Sequence, residues 1–219
     1  MFVPWEGARP HSRFPPLPPR EGGAEVGDEV LLRSLAFQIP SGVDELMTVE
    51  VQGAPMDLLR LHVGRRVRER AAIPDRLSLG AVAPDPADSI RERSFKFGIQ
   101  IEPSTRSMAY HTINGRSFDM SRIDERVTLG ETEIWSFSND KAFAHPVHLH
   151  GAHFRVLSRS GGRRQVMPWE GGMKDTVLVY PTETVRVAVR FSAHRGIFPL
   201  HCHNIEHEDM GMMLNVLVE

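Results

Sequence analysis

An all-β fold, a Greek-key β-sandwich, is predicted for most of this 219-residue chain from two features of its pattern. Val185, Val187, Val189 and Phe191 alternate with Arg186, Ala188 and Arg190, the period of a strand with one face buried. Short apolar runs also recur at intervals near ten residues, punctuated by Gly, Pro and Asn, the spacing that sandwiches show.

Taken in order, the first 28 residues are rich in Pro, Gly and charge, including Phe14-Pro-Pro-Leu-Pro-Pro19, and read as loop or linker. Glu29 to Phe37, Leu46 to Val51 and Leu58 to Val63 then read as three strands bounded by Gly, Pro and Asp, too few to close a sandwich. Residues 65–90 carry the run Arg65-Arg-Val-Arg-Glu-Arg70 and then Pro84 and Pro86, and are expected to be a solvated connector. From Arg91 strands follow one another: Phe95 to Ile101, Ser107 to Ile113, Ile134 to Phe137, Phe154 to Leu157, Thr176 to Val179, Thr184 to Phe191 and Met213 to Val218. A short helical turn is expected between His203 and Met210, with Glu208 and Asp209 on its solvated face.

Composition excludes several classes of function. A formal net charge of −2 provides no basic field for nucleic acid. No run of about 18 uncharged apolar residues is present to span a bilayer. The opening Met1-Phe-Val-Pro-Trp-Glu-Gly lacks the basic-then-apolar order of a secretion signal. The one cysteine, Cys202, cannot close a disulfide within the chain or build a Cys-rich zinc site, and the compartment stays open.

The chemistry is concentrated in two motifs. Near the C-terminus stands His201-Cys202-His203-Asn-Ile-Glu-His207-Glu-Asp-Met-Gly-Met212, and upstream stands His145-Pro-Val-His148-Leu-His150-Gly151. Eight of the eleven histidines fall between positions 145 and 207. Thiolate, imidazole and thioether together suit copper, because two His and one Cys with a weak axial Met form an electron-transfer site. Alternate side chains of an extended segment share a face. His148 and His150 can therefore face one site while His145 turns toward another. In His-Cys-His the two imidazoles project away from the sulfur, so a metal on sulfur would be wired covalently to a second metal site. His153 and His194 sit at no ligand offset and are expected to be surface or core histidines.

The two motifs together resemble the paired C-terminal copper motifs of multicopper oxidases, the family of laccases, spore-coat oxidases and bacterial copper efflux oxidases. The resemblance implies a cupredoxin domain over residues 91–219, with the motifs on loops at one end of it. It also implies that His145, Cys202 and His207 bind a type 1 copper with Met212 as axial ligand. His148 is implied at a type 2 copper, and His150, His201 and His203 at a type 3 pair. In the family this trinuclear cluster reduces dioxygen to water, with electrons arriving through Cys202 and its neighbours His201 and His203. Asp175, in Met173-Lys-Asp-Thr176, is similar to the Asp of a Trp-Lys-Asp-Thr phrase in bacterial members, which implies a supporting place near His145 or the substrate end of the type 1 site. Gly27 to Arg33 resembles a phrase near the end of the family's second domain, so residues 1–64 are expected to be the last part of a preceding cupredoxin domain. The family's usual setting implies a periplasmic or extracellular location.

The family builds its cluster from eight histidines, half of them in two H-x-H motifs of an N-terminal domain. Residues 1–144 contain no such pair; His11, His62 and His111 stand alone. The expected partners are therefore an N-terminal cupredoxin domain of the same protein or of a partner chain, dioxygen, and a reductant such as a phenol, an arylamine or a metal ion. The ten methionines are dispersed, unlike a Met-rich copper-efflux insert, so cuprous copper is not expected as a dedicated substrate. An electron-transfer cupredoxin and a copper-storage domain are the competing readings. Retention of His148, His150, His201 and His203 argues against the first, since an electron carrier needs no imidazoles aimed away from its copper.

Overall fold

The structure, a computed structural model, describes residues 24–36, 54–66, 80, 82–101, 108–139 and 143–219. These divide into two units. The first is an antiparallel hairpin of β1 (Glu29–Arg33) and β2 (Asp57–His62). Its register pairs Val30 with Leu61 and Leu32 with Leu59, so these four share one face, and all are exposed. The other face carries the ion pairs Arg60–Glu29 at 3.1 Å and Arg33–Asp57 at 2.5 Å. Among the described residues nothing covers this apolar face, and two strands by themselves are marginally stable at best in water. The expected strand at Leu46 to Val51 lies outside the described residues, as do most of residues 1–28 and 65–90.

The second unit is the predicted sandwich. One sheet contains β4 (Met108–Ile113), β3 (Ser89–Ile101), β6 (Thr132–Asn139), β11 (Glu183–Arg190), β8 (His153–Gly161) and β9 (Met173–Lys174), in that spatial order. The facing sheet has the order β10 (Thr176–Val179), β7 (His145–Leu149), β12 (Gly196–Cys202), β13 (Met213–Val218), β5 (Glu125–Val127). Between them Phe95, Phe97, Trp135, Phe137 and Phe154 are fully buried beside the alternating valines of β11. The nearest of these rings, Phe95 and Trp135, have centroids 4.9 Å apart. Burying such rings is the main favourable contribution to folding.

Two differences from the sequence reading bear on function. Strand β3 begins at Ser89, after a 3-10 turn at Pro86–Asp88 whose N-terminus is capped by the Asp85 carboxylate. Ser89, within the stretch read as connector up to residue 90, thus pairs with Thr132 of β6, and after an irregularity at Ile90 the pairing runs in register from Arg91 to Phe97. The motifs expected on loops instead lie largely on strands β7 and β12, in the middle of a sheet, because Val147–Leu149 and Leu200–Cys202 pair with each other. Only His150, His203, His207 and Met212 lie beyond the strand ends.

Candidate metal centre

The register of two neighbouring strands sorts the motif residues onto two faces. Within β7 burial alternates, with His145, Val147 and Leu149 inward and Pro146 and His148 outward. Across the pair, Cys202 stands opposite Val147 and His201 opposite His148. Residues directly opposite on antiparallel strands share a face, so Cys202 joins the inward set and His201 the outward set.

On the inward side, His145 and Cys202 are wholly buried and His207 nearly so. The Nδ1 atoms of His145 and His207 are 3.2 Å apart, and the Cys202 Sγ lies 3.5 Å and 3.4 Å from them. The centre of such a triangle is about 2 Å from each corner, close to a metal–imidazole bond length. Burial, then the charges of His207 and His111, lowers the His145 pKa to about 3, and burial, then His111, lowers that of His207 to about 4. Burial raises the Cys202 thiol to about 12. At neutral pH the imidazoles are therefore neutral, and the sulfur gives up its proton only to a strong cation. Three soft or borderline donors converging in a dry site fit copper.

The approach of His207 depends on the segment that follows Cys202. Asn204 starts the single turn of helix α1 (Ile205–Asp209), and its Nδ2 donates to the Ala144 carbonyl at 3.2 Å, tying the two motifs together. The chain then returns to β12: the Met212 N–H donates to the His207 carbonyl at 2.9 Å, and the Cys202 N–H to the Met212 carbonyl at 3.1 Å. Met212 is fully buried in the same core. The Gly211 backbone has φ of 96°, and an added Cβ there would fall 1.9 Å from the Ser117 Oγ, so glycine lets this return pass close beneath the 117–118 loop.

On the outward side stand His148, His150, His201 and His203. The His150 and His201 Nε2 atoms are 3.0 Å apart, and the His203 ring lies 5.4 Å, centroid to centroid, from those of both His148 and His201. Tautomers follow from the acceptors that these rings meet. The His201 Nδ1 lies 3.0 Å from the Cys202 carbonyl and 3.2 Å from the Glu208 carboxylate, so it carries the proton and leaves its Nε2 lone pair free. The His148 Nδ1 likewise donates to the Asp175 carbonyl at 3.0 Å. Such outer partners orient metal-binding imidazoles. An open cleft of about 830 Å³ lies over this side, with His148, His150, Asp85, Asp88 and Asp175 in its wall.

Asp175 corrects an expectation. It lies beside His148, not His145, because β10 runs antiparallel to β7 and pairs Thr176 with His148 and Val179 with His145. Its backbone carbonyl makes the contact with the imidazole, while its carboxylate accepts from the Thr176 hydroxyl at 3.0 Å. Glu208, read as a solvated residue, instead faces His201, since one turn of α1 folds it back over β12. His111, read as standing alone, packs against His207. His153 and His194 are exposed in the cleft wall, as surface residues.

The multicopper oxidase family model matches residues 93–219, from within β3 to Glu219. The chain belongs to the multicopper oxidase family. It is 39% identical over 153 residues to a laccase of Haloferax volcanii, covering 69% of this chain and 26% of that protein. It is 38% identical to a bilirubin oxidase of Albifimbria verrucaria over 55% of this chain and 21% of the relative. Among solved structures it resembles the multicopper oxidase McoA of Aquifex aeolicus, in a variant form, with a TM-score of 0.65 and 29% identity, over 90% of this chain and 42% of that one. The chain thus spans about a quarter of the length of the curated relatives named here. Membership of the multicopper oxidase family implies copper as the metal, and the inward donor set fits it. Among the described residues no helix is long and apolar enough to cross a membrane.

Proposed function

We propose that residues 91–219 form the copper-bearing C-terminal cupredoxin domain of a laccase-like oxidase, with residues 1–64 the last part of a preceding cupredoxin domain and 65–90 a connector whose last residues, from Ser89, already enter β3. The observation that carries this reading is the division of the motifs between two faces of adjacent strands. An isolated electron carrier has a use for the inward face alone. The uncovered apolar face of the β1–β2 hairpin and the partial span of the relatives support the domain assignment.

In this reading His145, Cys202, His207 and Met212 hold the type 1 copper, His148 a type 2 copper, and His150, His201 and His203 half of a type 3 pair. Copper bound there would supply one-electron chemistry, taking electrons from a phenol, an arylamine or a metal ion and delivering four to dioxygen to give water. The protein's part is geometric. Cys202 joins the two faces through the backbone to His201 and His203, so an electron leaving the sulfur needs no step through solvent. His201 is held by the Cys202 carbonyl and Glu208, and His148 by Asp175 and Thr176, each through Nδ1 so that its Nε2 is left unprotonated. Glu208 also places an acidic group where protons are consumed. The remaining imidazoles come from an N-terminal cupredoxin domain of the same protein or of a partner chain, covering the open cleft.

The test separates the two faces. Copper-loaded chain should show the intense thiolate-to-copper charge-transfer band but negligible dioxygen uptake with a phenol. Supplying a polypeptide with two H-x-H motifs should restore uptake. A colourless copper-loaded chain would overturn the type 1 assignment. Robust dioxygen uptake by the chain alone would overturn the half-cluster.

A further inference from the structure

His111 lies on β4, in the opposite sheet from the copper motifs, and is fully enclosed, at 2% exposure. Its ring stacks on that of His207 with centroids 4.2 Å apart and planes 20° from parallel. Its Nδ1 is buried without a hydrogen-bond partner, so no bond at that atom explains why the ring sits there. The backbone fixes the approach: the His111 N–H donates to the Met210 carbonyl at 3.1 Å, stapling β4 to the end of α1. Phe143 packs edge-on against the His207 imidazole at 5.6 Å. His207 itself sits on a helix of a single turn. A five-residue helix defines the direction of a side chain poorly by itself, since such short helices fray.

We infer that His111 is a positioning residue for His207: its stacked ring fixes the plane of the His207 imidazole, and so the direction of the Nδ1 lone pair toward the Cys202 and His145 donors. The inference rests on the type 1 reading above. The flat face of the ring performs this role, and the polar Nδ1 does not. A planar replacement should therefore preserve the site, and a replacement of similar bulk without a ring should loosen it. Changes to groups that orient metal-binding imidazoles typically weaken metal binding by about 10- to 100-fold.

The experiment uses the full chain and its H111F, H111L and H111Q variants, loaded with cupric ion. Affinity is read by competition with a chelator, and site geometry by the charge-transfer band and the electron paramagnetic resonance spectrum. H111F should match the parent in all three. H111L and H111Q should bind cupric ion about tenfold or more weakly, with an altered band and a changed hyperfine splitting. Thermal unfolding identifies folded variants, and H111Q serves if H111L does not fold. A ring-less variant with parental affinity and spectra would overturn the inference, as would H111F behaving like H111L. If the parent chain itself lacks the band, the type 1 reading fails first and this inference falls with it, an outcome distinct from the other two.

Discussion

The two sides of the β7–β12 strand pair carry nearly the same side chains and have opposite surroundings. Inward, His145, Cys202, His207 and Met212 are enclosed by the sandwich core, and the donors of the two histidines and the cysteine already converge. Outward, His201 is buried while His150 and His203 are exposed, and the cluster opens on a cleft. A site completed within one core is organised by the same packing that folds the domain. A site on the outer face of a sheet is organised only when another surface covers it. On the function proposed above, one strand pair carries a finished site and an unfinished one, with Cys202 between them.

The most severe way to break this contrast is Cys202→Ser. Serine oxygen is a hard, weak donor for copper, and the charge-transfer band should vanish entirely, while the four outward histidines still bind cupric ion with an ordinary tetragonal spectrum. Loss of copper from both faces together, measured by metal analysis, would mean that the two sites are not separable.

Glu208→Gln sharpens the contrast from the other side. It should weaken copper at the outward cluster by about 10- to 100-fold, because His201 loses its charged partner, and leave the blue band in place. The check is copper stoichiometry beside absorption in the same sample. Equal loss at both faces would show that Glu208 acts through the position of α1 as a whole.

A third change lies away from both faces and should affect stability alone. Glu183 is buried between Arg159, at 2.6 Å, and Arg163, at 2.9 Å, while Glu170 also pairs with Arg159. Burial by itself would raise the Glu183 pKa. The hydrogen bonds from Arg163 and the Tyr180 N–H, with the charges of Arg159 and Arg163, together bring it below the ordinary carboxylate value. Its contribution is therefore complete above that value and is lost as pH falls through the lower, folded one. Glu183→Gln should cost about 3–5 kcal/mol at neutral pH and flatten the acid limb of a stability–pH curve measured by denaturant titration. An unchanged acid limb would assign the acid sensitivity to other carboxylates.

The smallest effect is expected at Gly151, which ends the first motif with φ of 74°. A Cβ there would lie 2.5 Å from the Phe198 ring. Gly151→Ala should cost about 1–3 kcal/mol in thermal stability and disturb His150 before it disturbs His145. Unaltered melting would mean that the turn relaxes freely.

Much of this was legible in the order of residues. The strand period in Val185 to Phe191 announced the sandwich, and the offsets among His145, His148 and His150 announced two faces, because both depend on the alternation of side chains along an extended chain. The ligand types around Cys202 pointed to copper for chemical reasons that need no coordinates. Sequence alone left unspecified which partner each imidazole meets. Asp175 supports His148 because of the β10–β7 register, Glu208 reaches His201 because one helical turn folds back, and His111 covers His207 from a strand in the opposite sheet. These are contacts between segments far apart in the chain, or across a turn whose geometry is set by its packing. Local pattern fixes which way a side chain faces, and only the tertiary fold decides what stands in front of it.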